Sequence, residues 1–190
     1  MSVEAFLVST GVVALGEMGD KTQLLALLLA ARFRKPLPII AGIFVATILN
    51  HAAASALGAW LTHLVDPTWL RYALGVSFIA VALWMLVPDK SDDRAGNTRG
   101  HLGVFGLTLV AFFMAEMGDK TQIATIMLAA RYNELVTVTA GTTLGMMAAN
   151  VPAVLLGDKV VKWVPIAWVH RVAALMFVVI GLAMLLGVGS

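Results

Sequence analysis

The chain has 190 residues, of which 60% are hydrophobic and 13% charged, and its mean hydropathy is +0.91. Such a composition excludes a soluble globular domain and marks an integral membrane protein, with length for about six helices of ~20 residues each. The net charge of +2 does not point to nucleic acid, because the basic residues sit in short breaks between apolar runs, and the absence of cysteine excludes disulfides, thiolate metal sites and Fe-S clusters.

In chain order, the polar punctuation bounds six apolar segments at 3–31, 37–61, 69–87, 102–130, 135–157 and 166–187. The first run is too long for a signal-peptide core and lacks a basic stretch before it, so it reads as a retained helix. Proline and clustered charge mark the breaks, the longest being the polar stretch 88–101.

A shift of 99 positions lays the second half on the first. Glu17-Met18-Gly19-Asp20-Lys21-Thr22-Gln23 falls on Glu116-Met117-Gly118-Asp119-Lys120-Thr121-Gln122. Ala30-Ala31-Arg32-Phe33 falls on Ala129-Ala130-Arg131-Tyr132, Gly42 on Gly141, Gly58 on Gly157, His51 on Asn150 and Trp69 on Trp168. The chain therefore reads as a tandem duplication, with repeats at 1–87 and 102–190 joined by a cytoplasmic linker at 88–101. Three crossings per repeat would turn the second half upside down, so the expected fold class is an all-α membrane protein of six transmembrane helices arranged as two inverted three-helix repeats. Arg32, Arg34, Lys35, Lys90, Arg94, Arg99, Lys159, Lys162 and Arg171 gather on one side, against Arg71 and Arg131 on the other. The positive-inside rule makes the first side cytoplasmic and puts both termini outside.

The repeated heptapeptide lies in the middle of each repeat's first apolar run, where an ionised side chain costs at least ~2.5 to 3.5 kcal/mol. Salt bridges are a poor glue compared with apolar packing, so the charges call for a function. On a continuous helix Glu17, Asp20 and Lys21 would share one face, as would Glu116, Asp119 and Lys120. Gly19 and Gly118 allow either close helix approach or local unwinding. Together the two copies carry four carboxylates and two ammonium groups, a formal charge that one divalent cation neutralises. An oxygen-rich set suits Ca²⁺, Mg²⁺ or Mn²⁺ better than Zn²⁺ or copper.

The expected metal ligands are Glu17, Asp20, Glu116 and Asp119, with Gln23, Gln122, Thr22, Thr121, Asn50, His51 and Asn150 as candidate additional ligands and Lys21 and Lys120 as compensating charges. An interhelical hydrogen bond is an equal reading for Asn50, His51 and Asn150. Met18 and Met117 read as packing or lipid-facing groups. His63, His101 and His170 lie near the expected interfaces, and Trp60, Trp69, Trp163 and Trp168 fit an aromatic belt. Metal and proton compete for the same carboxylates, which is the minimal mechanism of a cation/proton antiporter needing no resident cofactor. Two rivals use the same residues differently: an intramembrane aspartyl protease and a passive cation channel. The protease's Gly-x-Gly-Asp signature is absent, and each Asp has a Lys beside it. A channel needs a continuous polar path, whereas only the middle of these helices is acidic.

Two copies of Glu-x-Gly-Asp-Lys/Arg-Thr/Ser, at Glu17 to Thr22 and Glu116 to Thr121, resemble those of the family that includes the Golgi manganese and calcium transporters of eukaryotes and small bacterial manganese exporters. The resemblance implies exchange of Mn²⁺ or Ca²⁺ for protons at the motif acids. With so short a linker the chain is most similar to the bacterial branch, which implies Mn²⁺ export across the inner membrane.

Overall fold

The computed structural model describes residues 2–87, 103–157 and 166–187, which form eight helices and no strand. The first repeat supplies α1 (Val3–Glu17), α2 (Lys21–Phe33), α3 (Pro36–Leu64) and α4 (Pro67–Met85). The second supplies α5 (Val104–Glu116), α6 (Lys120–Tyr132), α7 (Leu135–Leu156) and α8 (Ile166–Leu185). The linker 88–101, His101 and Trp163 lie outside the described residues.

The expected segments 3–31 and 102–130 are each divided in two, which decides between the two readings of Gly19 and Gly118 in favour of local unwinding. Met18 and Met117 leave the helix with the same extended backbone (φ −65, ψ 117), and Gly19 and Gly118 follow at φ +83 and +77. Only glycine enters that region at little cost, so the repeated Gly is the local cause of both breaks. The chain re-enters helix at Asp20 and Asp119, both extended. The half-helices α2 and α6 then end on residues in the left-handed conformation, Arg34 and Asn133, again 99 positions apart.

Four helices are each long and apolar enough to cross a bilayer: α3, α4, α7 and most of α8. The half-helices α1, α2, α5 and α6, at 13 to 15 residues, are not.

Packing exchanges partners between the halves. α1 lies along α7 and α5 along α3, while α3 and α7 also meet each other. Gly42 of α3 lies so close to Phe105 and Thr108 of α5 that a Cβ would stand 2.8 Å from Thr108 Cβ. Its repeat mate Gly141 faces Phe6 and Ser9 of α1, the mates of Phe105 and Thr108. Such small-residue contacts let helices approach closely where lipid offers no hydrophobic drive. α4 and α8 pack together through Gly75 against Gly181 and through the Phe78 and Phe177 rings, 5.8 Å apart. That pair bears on α1 and α6 and makes no comparable contact with α2 or α5. Trp60, Trp69 and Trp168 are all exposed, as an aromatic belt requires.

Candidate metal centre

Both helix breaks carry acids whose side chains are buried. Glu17 and Glu116 are 0% exposed, Asp20 3% and Asp119 2%. Oxygens of Glu17, Asp20 and Asp119 all lie within 4.8 Å of one another, so both copies contribute to one cluster. Oxygens ~2.3 to 2.6 Å from one cation are separated by such distances, which makes the cluster a fit for a hard divalent ion. Glu116 is not in that cluster. It is tied to it by Thr121, whose hydroxyl donates at 3.3 Å to Asp119 and 3.4 Å to Glu116. One oxygen each of Glu17 and Glu116, both fully buried, has no hydrogen-bond partner among the described residues.

Each break frees backbone groups, and the motif supplies its own partner for one of them. The Gly19 N–H donates to Gln23 Oε1 (2.8 Å) and the Gly118 N–H to Gln122 Oε1 (2.7 Å). Gln23 and Gln122, candidates for additional ligands, brace the unwound turns with their carbonyl oxygens. Gln23 also donates from Nε2 to the Ala149 carbonyl of α7 (2.9 Å). Thr22 donates to Glu17 at 2.5 Å, orienting that carboxylate. Asp20 accepts from the Lys21 N–H (2.8 Å) at the start of α2. Helix starts at α2 and α6 favour carboxylates there, and helix ends at α1 and α5 favour a cation.

The two lysines have parted. Lys21 of the first copy forms an ion pair with Asp119 of the second, 2.7 Å apart, and its side chain is 25% exposed. Lys120 is buried, donates to the Val87 carbonyl just beyond α4 (3.1 Å), and its ammonium lies 6.0 Å from the Trp84 ring centre.

Asn50 donates to the Phe113 carbonyl of α5 (3.1 Å), which makes it a helix-helix bond on the way into the second break. Asn150 donates within its own helix to Met146, and its side-chain oxygen is left without a partner among the described residues. His51 is fully buried, and neither ring nitrogen has a hydrogen bond among the described residues. Met117 is 54% exposed, as a lipid-facing role demands. The residue that sequence reasoning missed is His170, read as interfacial: its Nε2 donates to the Met18 carbonyl at 2.8 Å. Its mate under the 99-residue shift is Arg71, so the repeat does not mark the position by identity as it marks the motif.

Comparison with known proteins now joins this geometry. The family model described as "Divalent cation/proton antiporter GDT1" matches residues 5–93 and 104–189. A Vibrio cholerae protein named "Putative manganese exporter" is 50% identical over 185 residues, covering 96% of this chain and 90% of its own. GDT1-like protein 5 of Arabidopsis thaliana is 27% identical, covering 97% and 96%, and a GDT1-like protein of Synechocystis is 28% identical, covering 91% and 92%. No solved structure matches the chain. These matches make it a transporter and not an enzyme, which removes the protease reading, and the chain belongs to the GDT1 family of divalent cation/proton antiporters.

Proposed function

We propose that this protein exports Mn²⁺ from the cytoplasm in exchange for protons, through one central site built from both motif copies. The observation that carries this reading is the convergence of Glu17 and Asp20 with Asp119 on one buried point, with Lys21 of one copy paired to Asp119 of the other. In the resting site the Lys21 ammonium offsets part of the acid charge. An entering divalent cation takes the carboxylate oxygens and displaces Lys21, and protons taken up from the other side release the cation. Glu17, Asp20, Glu116 and Asp119 are the proposed ligands, Thr22 and Thr121 orient them, and Lys21 and Lys120 compensate charge.

The arrangement proposed across the bilayer is six crossings in two inverted repeats, 1–87 and 102–190, with α1–α2 and α5–α6 each crossing as a broken helix. The family match in two parts and the exchanged packing of α1 on α7 and α5 on α3 support it. The positive-inside count then gives a cytoplasmic linker and periplasmic termini in a bacterial inner membrane. Mn²⁺ is favoured over Ca²⁺ by the name of the Vibrio relative, while an all-oxygen site suits both. Burial of every motif acid favours an occluded site over a passive channel.

The test is Mn²⁺ accumulation in proteoliposomes with and without an imposed proton gradient, with Ca²⁺ as competitor. Uptake driven by the gradient and reduced more by unlabelled Mn²⁺ than by Ca²⁺ supports the reading. Uptake indifferent to the gradient would refute exchange, and stronger competition by Ca²⁺ would refute the choice of ion.

A further inference from the structure

We infer that His170 and Arg71 are a pair of alternating positioning residues, each holding the carbonyl exposed by one helix break in one of two conformations of the transporter. The inference rests on the antiport reading in so far as it supplies a use for two conformations. Its structural argument is independent.

Both breaks release a carbonyl that no helix bond takes, at Met18 and at Met117. In this structure the first is satisfied by His170 Nε2 at 2.8 Å. The second is not met by the equivalent residue of α4, which bonds elsewhere, and Met117 is 54% exposed. The first break is thus tied to α8, and among the described residues no side chain of α4 ties the second in the same way. The residue equivalent to His170 is Arg71, in the second turn of α4 as His170 is in the second turn of α8. Arg71 is a donor of the right kind, yet it is turned elsewhere. Its guanidinium lies over its neighbour Tyr72, 4.9 Å from the ring, and bonds that hydroxyl at 3.2 Å. Arg71 Nε is buried without a hydrogen-bond partner among the described residues.

The cause of this imbalance is the position of the α4–α8 pair. These helices run antiparallel, Phe78 beside Phe177 and Gly75 beside Gly181. At one end of the pair Val87 accepts from Lys120 and His170 reaches Met18, so that end is level with the breaks. At the other end Arg71 lies by Gly187, away from them. Among the described residues the pair rests chiefly on α1 and α6. Exchanging the two repeats in every contact generates a second arrangement from the same sequence. There the pair rests on α5 and α2, Arg71 meets the Met117 carbonyl, Lys21 meets the Leu186 carbonyl, and Lys120 pairs with Asp20. All three donors and all three acceptors exist in the sequence, and Lys21, now held by Asp119, changes partner once a cation displaces it. Sliding of a packed pair past a fixed core is an established class of transition.

The chain has no cysteine, so paired cysteines report proximity without background. The full-length protein in membranes carries either Met18→Cys with His170→Cys or Met117→Cys with Arg71→Cys, and is oxidised with and without Mn²⁺. The first pair should cross-link in the arrangement described above. The second should cross-link in a fraction of molecules that changes with Mn²⁺, with a matching loss for the first pair. In parallel, Arg71→Ala should slow Mn²⁺ turnover about tenfold, the worth of one hydrogen bond from a charged group, while equilibrium Mn²⁺ binding stays unchanged. Arg71→His, which copies the other repeat, should restore the rate. Absence of the second cross-link in protein that transports Mn²⁺ overturns the inference and leaves the antiport reading standing. Cross-linking of both pairs without Mn²⁺ transport has the opposite effect. A rate loss in Arg71→Ala that His does not rescue shows a merely structural arginine and also overturns it.

Discussion

The same seven residues occur twice in this protein and do not behave alike. Around the first copy the released carbonyl is covered by His170, Thr22 is committed to Glu17, and Gln23 reaches across to α7. Around the second the equivalent residue, Arg71, bonds Tyr72 instead of the carbonyl, Thr121 divides itself loosely between two carboxylates, and among the described residues Gln122 makes only its local bond. Lys21 faces the acids while Lys120 turns to the end of α4. Identical sequence excludes a local cause. The difference comes from what is packed outside the motifs, namely the α4–α8 pair lying against α1 and α6. A symmetric sequence held in an asymmetric packing is how a transporter stores two states in one chain.

The comparison can be broken most severely at the acids. Glu17→Gln and Asp119→Asn should each lower Mn²⁺ affinity by at least about a hundredfold, since each removes a ligand and leaves buried charges unbalanced. Glu116→Gln should match them in transport although Glu116 stands outside the cluster here, because the second arrangement needs it. Transport that survives Glu116→Gln would show that the second copy's Glu is only structural. Lysine substitutions come next. Lys21→Met removes the competitor for Asp119 and should tighten Mn²⁺ binding up to about tenfold while slowing turnover, as removing a charge-assisted hydrogen bond would. Lys120→Met should leave resting affinity nearly unchanged, and titration of both variants checks the contrast.

Smaller effects test the scaffold. Gly19→Ala and Gly118→Ala force a side chain into positive φ and should each cost about 1 to 2 kcal/mol, read as a lowered thermal midpoint. Nothing lies within 4 Å of a Cβ at Gly118, so its loss would be backbone strain alone. Gln23→Ala should destabilise more than Gln122→Ala, by about the 1 kcal/mol of the extra bond to Ala149.

The smallest effect is at Glu134, in the turn between α6 and α7. The Thr137 hydroxyl and the Ser2 N–H hold its carboxyl down at about 2. A depressed pKa stabilises the fold above the ordinary carboxylate range near 4.3 and loses that contribution as pH falls toward 2. Glu134→Gln should therefore flatten the acid limb of the stability curve in that window, and a wild-type slope in the variant would contradict the assignment.

Much of this was legible in the sequence, for physical reasons that differ by residue. Burying Glu17, Asp20, Glu116 and Asp119 in lipid is so costly that their presence announces a site, and the 99-residue repeat pairs them. Helix boundaries followed from proline and charge, so α3, α4, α7 and α8 fall within a few residues of the expected segments. The breaks were not decided, because Gly19 serves unwinding and close packing equally well until its φ is known. The roles of Gln23 and Gln122 followed from the breaks and were hidden with them. His170 was missed because a histidine near an interface carries no signal of a partner 152 residues away. The partition of Lys21 from Lys120 lies beyond any reading of the motif, since the two copies are identical.

The most direct measurement is the number of Mn²⁺ ions bound by the purified protein, by calorimetric titration of the wild type and of Glu17→Gln and Asp119→Asn. A site shared by both copies predicts one ion per chain, lost in either variant. Two ions per chain, or one that persists when either copy is disabled, would contradict it.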